Sequence, residues 1–279
     1  MTILDPHLDP SLEPASAGDA ATDPRGGVAA SASAPAVRIA DVSKQFGTGP
    51  SAVLALDRVS LDVERGEFLC IVGASGCGKS TLLNLVAGLD APSAGTVTAQ
   101  GRVALMFQEA ALLPWRTAAQ NVELALKLRR VPRAERCAQA LELLSLVRLQ
   151  DFADKRPHEL SGGMRQRVAL ARALGQGADV LLMDEPFGAL DAITRDVLHD
   201  EVERVAAEQQ LTTIFVTHNV REAARLGDRI VLLSSRPGRV AAEFGVPVER
   251  PRRIESPEVS AIAADVTVRL REEVRRHAG

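Results

Sequence analysis

A glycine-rich stretch, residues 73–80, restricts the fold of this 279-residue chain more than any other feature. It matches the pattern G-x-x-x-x-G-K-[ST], in which glycines let successive backbone N–H groups turn toward a phosphate. The apolar run 68–72 precedes it, and a helical pattern over 79–88 follows it. A buried strand that leads through such a loop into a helix is the context that this phosphate loop requires. The stretch therefore predicts a strand–loop–helix unit that binds a nucleotide.

Two residues at the end of the loop carry further chemistry. Lys79 is placed to reach the β- and γ-phosphates, and the Ser80 hydroxyl is placed to ligate Mg²⁺, which prefers oxygen ligands. Cys77 lies inside the loop, so we expect bound nucleotide to slow alkylation of its thiol. The nucleotide-binding residues predicted here are Gly73, Ala74, Ser75, Gly76, Cys77, Gly78, Lys79, Ser80 and Thr81.

A second apolar strand, predicted at 180–183, ends in two carboxylates. Asp184 is placed to bind Mg²⁺, directly or through water, and Glu185 is placed to act as a general base or to orient the attacking water. Adjacent acids at a strand end are also common as solvated caps. The catalytic interpretation is favoured because a phosphate loop precedes these acids in the same chain.

The order of the predicted elements indicates an α/β fold. Alternation of apolar and polar residues over 59–64 predicts a half-buried antiparallel strand. Apolar strands predicted at 103–107, 180–183 and 213–216 alternate with helices, which favours a parallel sheet. Part of the chain, about 117–175, is predicted as a helical subdomain. The predicted helices are 79–88, 120–149 with a break near Pro132, 161–174 and 192–209.

The two ends of the chain differ from its middle. Residues 1–36 are rich in Pro, Ala, Ser and acids, so they cannot bury enough apolar surface to become ordered and predict a disordered leader. The nucleotide-binding domain is predicted to span 37–248. In the tail, 249–279, Ser256 is a plausible N-cap for a helix over about 257–276. We interpret this helix as docked on the domain, with a partner-binding helix as the alternative.

Composition excludes several functions. The net charge is −3 and aromatic residues make up 3%, with no Tyr, which argues against a nucleic-acid partner. The three cysteines lack CxxC spacing, which argues against a disulfide framework or a structural zinc site. The most apolar stretch, 70–89, is broken by glycines and by Lys79, so no membrane span is predicted, and no signal peptide is expected. A protein of this kind would serve a membrane only as a peripheral partner.

A second glycine turn opens the helix predicted at 161–174. Ser161, Gly162 and Gly163 offer backbone N–H groups at the positive end of a helix, where a phosphate can bind. Because the chain already has one phosphate loop, we infer that this second turn binds the γ-phosphate of a nucleotide held by another copy.

At this point the sequence resembles the nucleotide-binding domain of ATP-binding cassette (ABC) transporters. Residues 160–167 resemble the family's LSGGQ signature, with Met164 in place of the glutamine. The other family elements follow in order: Phe46 resembles the adenine-stacking aromatic, Gln108 the Q-loop, Ala189-Leu190-Asp191 the D-loop and Thr217-His218-Asn219 the H-switch. The resemblance covers about 37–248. It implies a P-loop NTPase of ABC type with an antiparallel β subdomain and a helical subdomain. Singly, Phe46 is more often a core residue, so the order of the motifs carries the inference.

The resemblance also implies how the site works. Two copies would form a homodimer with two ATP sites, each between residues 73–81 of one copy and 161–163 of the other, with Mg²⁺ as the second cofactor. The implied catalytic residues are Glu185, His218 and Gln108, the implied Mg²⁺ ligands are Ser80, Gln108 and Asp184, and Asp191 would link the two sites. A strictly monomeric protein would then bind ATP but hydrolyse it poorly.

The implied partners are membrane proteins. In the family, residues corresponding to 109–117 and the helical insert form a groove for a cytoplasmic helix of a membrane subunit. Trp115 is either an interface anchor there or an ordinary packed residue. Two transmembrane permease subunits and, indirectly, an extracytoplasmic solute-binding protein are the implied partners, with no nucleic acid. The chain would then lie on the cytoplasmic face of the inner membrane.

Three stretches, 112–115, 183–191 and 234–239, resemble the nitrate, sulfonate and taurine importer subfamily. This implies uptake of a small oxyanion-type solute, first of all aliphatic sulfonates, with taurine and nitrate as alternatives. A non-transport ABC ATPase is the remaining alternative. A ribosomal one would resemble tandem cassettes, whereas each motif here occurs once, and a chromosome ATPase needs a long coiled coil that the sequence does not show.

Overall fold

The computed structural model describes residues 34–188 and 190–277. The predicted leader therefore lies outside the described residues except for its last three positions, of which Ala36 is already buried in the domain. Ala189 of the D-loop-like motif also lies outside them.

The strands and helices have the following bounds. The strands are β1 Val37–Phe46, β2 Val53–Val63, β3 Phe68–Gly73, β4 Ala94–Ala99, β5 Val103–Met106, β6 Val180–Asp184, β7 Thr212–Val216, β8 Arg229–Leu233 and β9 Val240–Gly245. The helices are α1 Lys79–Val86, α2 Ala118–Leu128, α3 Arg133–Leu146, α4 Gly162–Leu174, α5 Ala192–Glu208, α6 Val220–Leu226 and α7 Pro257–His277. Within the described residues, no helix is both long and apolar enough to cross a membrane.

Two sheets form around the phosphate-loop strand. The first is antiparallel, with the order β2-β1-β4. The second has the order β5-β6-β7-β3-β8-β9 and is parallel except for the β8–β9 pair. Because β3 lies between β7 and β8, the segments that follow those two strands both emerge beside the loop that follows β3.

Both faces of β3 are buried, which explains its continuous apolar sequence. Phe68, Cys70 and Val72 belong to a core that includes residues of α2–α6, whereas Leu69 and Ile71 belong to a second core shared with α1 and the antiparallel sheet. The strand thus joins the two hydrophobic cores of the described chain.

The break predicted near Pro132 is confirmed by the structure. Helix α2 ends at Leu128 and α3 begins at Arg133, directly after Pro132, which cannot continue a helix interior. Helix α2 begins two residues before the predicted start, because Thr117 and Gln120 form a capping box: each side chain accepts a hydrogen bond from the backbone N–H of the other.

Several elements were not predicted from the sequence, namely β4, α6, β8 and β9, as well as the first half of β2. Strand β4 is mostly exposed and reads AGTVTA, so it lacks the apolar alternation that marks a strand. Helix α6 has only 7 residues, too few for a helical period to show. These elements are held by their neighbours rather than by their own pattern.

The tail helix α7 packs against α6 and β9. Val259 and Val266 are fully buried in this contact, and the Ser256 hydroxyl accepts from the backbone N–H of Val259 at 3.4 Å. On its outer side Val268 and Val274 are exposed. The helix is therefore docked along one face, as the interpretation of the sequence proposed.

Truncation of Phe215 should be among the most destabilising core changes. Its ring is fully buried in β7, 6.1 Å from the ring of Phe68 and 5.9 Å from that of Phe187, so Phe215→Ala leaves a large cavity. We expect it to lower the free energy of unfolding by about 3–5 kcal/mol in denaturant titrations. The half-exposed Phe152 is the control, and Phe152→Ala should cost less than about 1 kcal/mol. Equal losses in the two variants would contradict this assignment of the core.

Candidate nucleotide site

The lysine of the phosphate loop forms hydrogen bonds with the backbone of the same loop. Lys79, at the first position of α1, is buried, and its Nζ donates to the backbone oxygens of Gly73 and Ala74 at 3.0 and 3.1 Å. Gly78 before it has φ +106, and a Cβ there would lie 2.7 Å from a methyl carbon of Leu56. Only glycine fits this turn, because both the backbone angle and the neighbouring strand exclude a side chain.

A cavity of about 420 Å³ opens over this loop. Phe46, Val53 and Ala55 line it from the antiparallel sheet, and Glu185 and Arg236 line it from the segments that follow β6 and β8. Ser75, Gly76, Gly78, Lys79, Ser80 and Thr81 complete the lining. Phe46 is 44% exposed, so its ring is available to a ligand and is not a core residue. The cavity therefore offers an aromatic face together with a phosphate-binding loop.

Of the two carboxylates predicted at the end of β6, Glu185 lines the cavity and Asp184 lies beside Ser80. Burial raises the pKa of Asp184 above its usual value, although the neighbouring Ser80 hydroxyl acts to lower it. Glu185 has φ +44, an unusual conformation for a residue with a side chain. Its Oε1 lies 4.0 Å from Lys79 Nζ, and its Oε2 lies 2.8 Å from His218 Nδ1. The structure thus brings Ser80, Asp184, Glu185 and His218 around Lys79.

The donor set beside Lys79 fits Mg²⁺ in part. Ser80 and Asp184 supply hard oxygen atoms, which are the ligands that Mg²⁺ prefers, and the ion keeps several waters or phosphate oxygens in such sites. The part of the chain that the structure describes contains no cluster of three His, Cys, Asp or Glu residues able to hold a metal alone. A cation bound here would therefore take some of its ligands from the protein and others from a nucleotide.

Gln108, predicted as a catalytic residue and Mg²⁺ ligand, does not line this cavity. It follows β5 and lines a separate cavity of about 420 Å³ together with Gly162, Arg165 and Leu190. Its backbone oxygen accepts from Gln166 Nε2 at 2.8 Å, which ties it to α4. Its side-chain Nε2 lies beside the turn that follows Glu185, since a Cβ on Gly188 would be 3.6 Å from Gln108 Nε2 and 3.6 Å from the Glu185 backbone oxygen.

The second glycine turn lies beside the Asp191 turn. Ser161 caps α4 by accepting from the Met164 N–H at 3.2 Å, and Asp191 caps α5 by accepting from the Thr194 N–H at 3.0 Å. A Cβ on Gly163 would approach Thr194 to 2.4 Å, so the two turns are in close contact. Backbone hydrogen bonds lower the pKa of Asp191, as expected of an N-cap. None of these residues lines the cavity over the phosphate loop.

The Cys77 thiol is buried, so the structure gives bound nucleotide little exposed thiol to protect. The Cys77 side chain is 1% exposed, and its Sγ points into the core near Gly73, where a Cβ would lie 2.8 Å from it. Burial also raises the pKa of this thiol, which reduces the reactive thiolate. Alkylation is therefore blocked by the fold itself, before any nucleotide binds.

Sequence reasoning missed Arg236 as a residue of the site. Its Nε and Nη2 donate to the Gly76 backbone oxygen at 3.2 and 3.1 Å. The turn that carries it is fixed against β2, where the Gly238 N–H donates to the Ala55 oxygen at 2.8 Å and the Asp57 N–H donates to the Gly238 oxygen at 3.0 Å. The signal in the sequence was an arginine soon after a strand that neighbours β3, but β8 itself was not recognised.

Trp115 is 68% exposed, so it is not an ordinary packed residue. It lies in the segment between Gln108 and the start of α2, next to the second cavity in sequence. An exposed Trp on a segment of this kind is available to a partner.

Comparison with known proteins bears on this site. The sequence profile of the family described as ABC transporter matches residues 56–188. The taurine import ATP-binding protein TauB of Rhizobium johnstonii is 47% identical over 80% of this chain and 88% of its own length. The aliphatic sulfonates import ATP-binding protein SsuB 1 of Burkholderia cenocepacia is 47% identical over 84% of this chain and 72% of its own. A solved dimeric, post-hydrolysis state of the ATP-binding cassette MJ0796 bound to ADP and Pi matches with a TM-score of 0.68 and 34% identity, over 76% of this chain and 100% of that one.

The fold and the cavity define a P-loop nucleotide-binding protein. Within that class, the chain belongs to the ABC transporter family as one of its ATP-binding proteins, and it is an ATPase.

Cysteine reactivity should follow burial in the structure. Cys137 is exposed, whereas Cys70 and Cys77 are buried. We expect iodoacetamide to label Cys137 first and the other two only slowly, with the same pattern in the absence and presence of ATP, as read by peptide mass spectrometry. Rapid, ATP-sensitive labelling of Cys77 in the Cys137→Ser variant would contradict the buried position of its thiol.

Loss of the Arg236 guanidinium should weaken nucleotide binding modestly. Arg236→Gln removes a positive charge from the cavity, and an exposed charge contact of this kind is worth about a two- to five-fold change in the ATP dissociation constant. Isothermal titration calorimetry measures it. Arg239→Gln is the matched control, since Arg239 lies in the same turn but pairs with Asp57. An equal loss in both variants would assign the effect to the turn and not to Arg236.

Proposed function

We propose that this ATPase is the energising subunit of an ABC importer and that it binds ATP between two copies of the chain. The observation that supports this proposal is the separation of the two anion-binding turns. The phosphate loop at 73–80 lines one cavity, whereas the Ser161–Gly163 turn (161–163) lies with Asp191 outside it. A single copy therefore leaves each turn without the other. The dimeric relative bound to ADP and Pi supports a second copy as the missing half.

Within one half, the described contacts support a division of roles. Lys79, now bonded to two carbonyls of its own loop, turns to the nucleotide phosphates when they are present. Ser80 and Asp184 would hold Mg²⁺, which neutralises phosphate charge when bound.

Glu185 and His218 act on the opposite side of the phosphates in this proposal. The Glu185 carboxylate accepts from His218 Nδ1 at 2.8 Å, and a doubly protonated ring would then donate from Nε2 to the γ-phosphate. Glu185 would then orient the attacking water, while His218 fixes the distance between that carboxylate and the phosphate. Gln108 would join this group from its position beside the turn that follows Glu185.

The proposed partners are two transmembrane permease subunits and, indirectly, an extracytoplasmic solute-binding protein. The exposed Trp115 and the second cavity, near Gln108, support a docking face on the helical part of the chain. With such partners, the protein would lie at the cytoplasmic face of the cell membrane. The solute is proposed to be an aliphatic sulfonate, with taurine or nitrate as alternatives. The two relatives named for sulfonates and for taurine support sulfonated solutes equally, at 47% identity each.

The Glu185→Gln variant should dimerise only when Mg-ATP is present. Without the carboxylate, ATP should bind without being hydrolysed, so the two halves stay together. Light scattering should show a monomer without nucleotide and a dimer with it. The control is Lys79→Ala in the same background, which should stay monomeric because the phosphates lose their lysine. A Glu185→Gln protein that binds Mg-ATP and yet remains a monomer would contradict the shared site.

A further inference from the structure

A buried hydrogen-bond chain supports the turn that carries His218. Glu222 on α6 is buried, and its Oε2 accepts from the Thr217 hydroxyl at 2.6 Å. The Thr217 oxygen in turn accepts from the Asn219 N–H at 3.0 Å. The residues on either side of His218 are thus held through one carboxylate.

The same carboxylate faces the Asp191 turn through an arginine. Arg195 on α5 donates from Nη2 to the Leu190 backbone oxygen at 2.8 Å, directly before Asp191. Its Nε lies 3.4 Å from Glu222 Oε1. Arg195 and Glu222 therefore form a chain of contacts that connects the Asp191 turn to the His218 turn.

Two buried nitrogen atoms lie near the same carboxylate oxygen of Glu222 without a hydrogen bond to it. Arg195 Nε and His199 Nε2 both lack a hydrogen-bond partner, and they lie 3.4 and 3.8 Å from Glu222 Oε1. His199 is fully buried and its Nδ1 accepts from Arg225 at 3.0 Å, so the proton of the neutral ring is on Nε2. Burial, followed by Arg225 and Arg195, lowers the pKa of His199 to about 3, so the charge of Glu222 is balanced by arginine.

Unsatisfied donors of this kind are uncommon in folded proteins and call for a physical reason. A shift of α5 against α6 by less than about 1 Å would bring one donor within ordinary hydrogen-bond distance of Glu222. Tightening of this contact would move both turns together, because Asp191 caps the start of α5 and His218 lies two residues before α6.

We propose that Arg195 and Glu222 are positioning residues that couple the Asp191 turn to the His218 turn within one copy. The inference rests on the proposed function, which assigns Asp191 to the contact between copies and His218 to the γ-phosphate. When the second copy contacts the Asp191 turn, Arg195 is displaced with that turn. Glu222 then transmits the displacement through Thr217 to the His218 turn. Neither residue touches the nucleotide.

The test compares four variants with a matched control. Arg195→Gln, Glu222→Gln and Thr217→Val each break one link, whereas Thr217→Ser keeps the hydroxyl. Arg204→Gln is the control, since Arg204 lies on the same helix, pairs with Glu201 and Glu208 and donates to the Leu146 oxygen, far along the helix from Asp191. Steady-state ATPase assays, calorimetric ATP binding and thermal unfolding are measured for each.

Broken links should lower kcat by about ten-fold while the ATP dissociation constant and KM change by less than about two-fold. The double variant Arg195→Gln with Glu222→Gln should be no slower than either single one, because both remove the same coupling. Thr217→Ser should restore activity, and Arg204→Gln should leave kcat unchanged. A loss of ATP binding in parallel with kcat, or an equal loss in Arg204→Gln, would overturn the proposal in favour of a merely structural role.

The dimer assay separates this proposal from the proposed function. If Glu185→Gln alone fails to dimerise with Mg-ATP, the shared site is wrong whatever the coupling variants do. If it dimerises while Arg195→Gln and Glu222→Gln keep the full kcat, the shared site stands and only the coupling is overturned.

Discussion

The burial of β3 between β7 and β8 is the constraint on which the rest of the structure depends. Its two faces enter different hydrophobic cores, so the strand cannot slip or tilt without opening one of them. The phosphate loop is fixed in place because it follows this strand directly. Backbone hydrogen bonds also fix the neighbouring segments, since the Thr217 N–H donates to the Ile71 oxygen and the Glu185 N–H donates to the Val216 oxygen. The catalytic groups are thus placed by sheet register rather than by contacts among themselves.

Charge inside the cavity is only partly balanced within the chain. Lys79 uses its donors on carbonyl oxygens of its own loop, and Glu185 Oε1 stays 4.0 Å away from it. Arg236 likewise spends two donors on the Gly76 carbonyl oxygen. Both cations donate to neutral carbonyl oxygens. Hydrogen bonds to phosphate oxygens would be stronger, because both donor and acceptor would then be charged. An anionic ligand gains from this arrangement without any need to break a strong ion pair first.

Much of this arrangement could be predicted from the sequence, and the missing parts share a physical cause. The loop at 73–80, the acids after β6 and the helix break at Pro132 are local patterns, so one segment suffices to recognise them. Strand β8 and the Arg236 turn were not predicted, because their position depends on pairing with β3. The burial of Cys77 escaped for the same reason, since its side chain meets neighbours and not the loop opening. Whether Gln108 faces the phosphate loop depends on the position of a whole segment, which no spacing in the sequence encodes.

The strand order has a consequence for how the protein is made. Synthesis proceeds from the N-terminus, and the phosphate-loop strand is complete long before β7 and β8, the two strands that flank it in the sheet. Until the chain reaches β7, neither edge of β3 has its native neighbour on the growing polypeptide, and one edge stays unpaired until β8 is made. Pairings this far apart in sequence form slowly. A ribosome that stalls between α1 and β7 would therefore release a fragment that has the complete phosphate-loop motif but leaves both edges of β3 unpaired, as an exposed strand prone to aggregation.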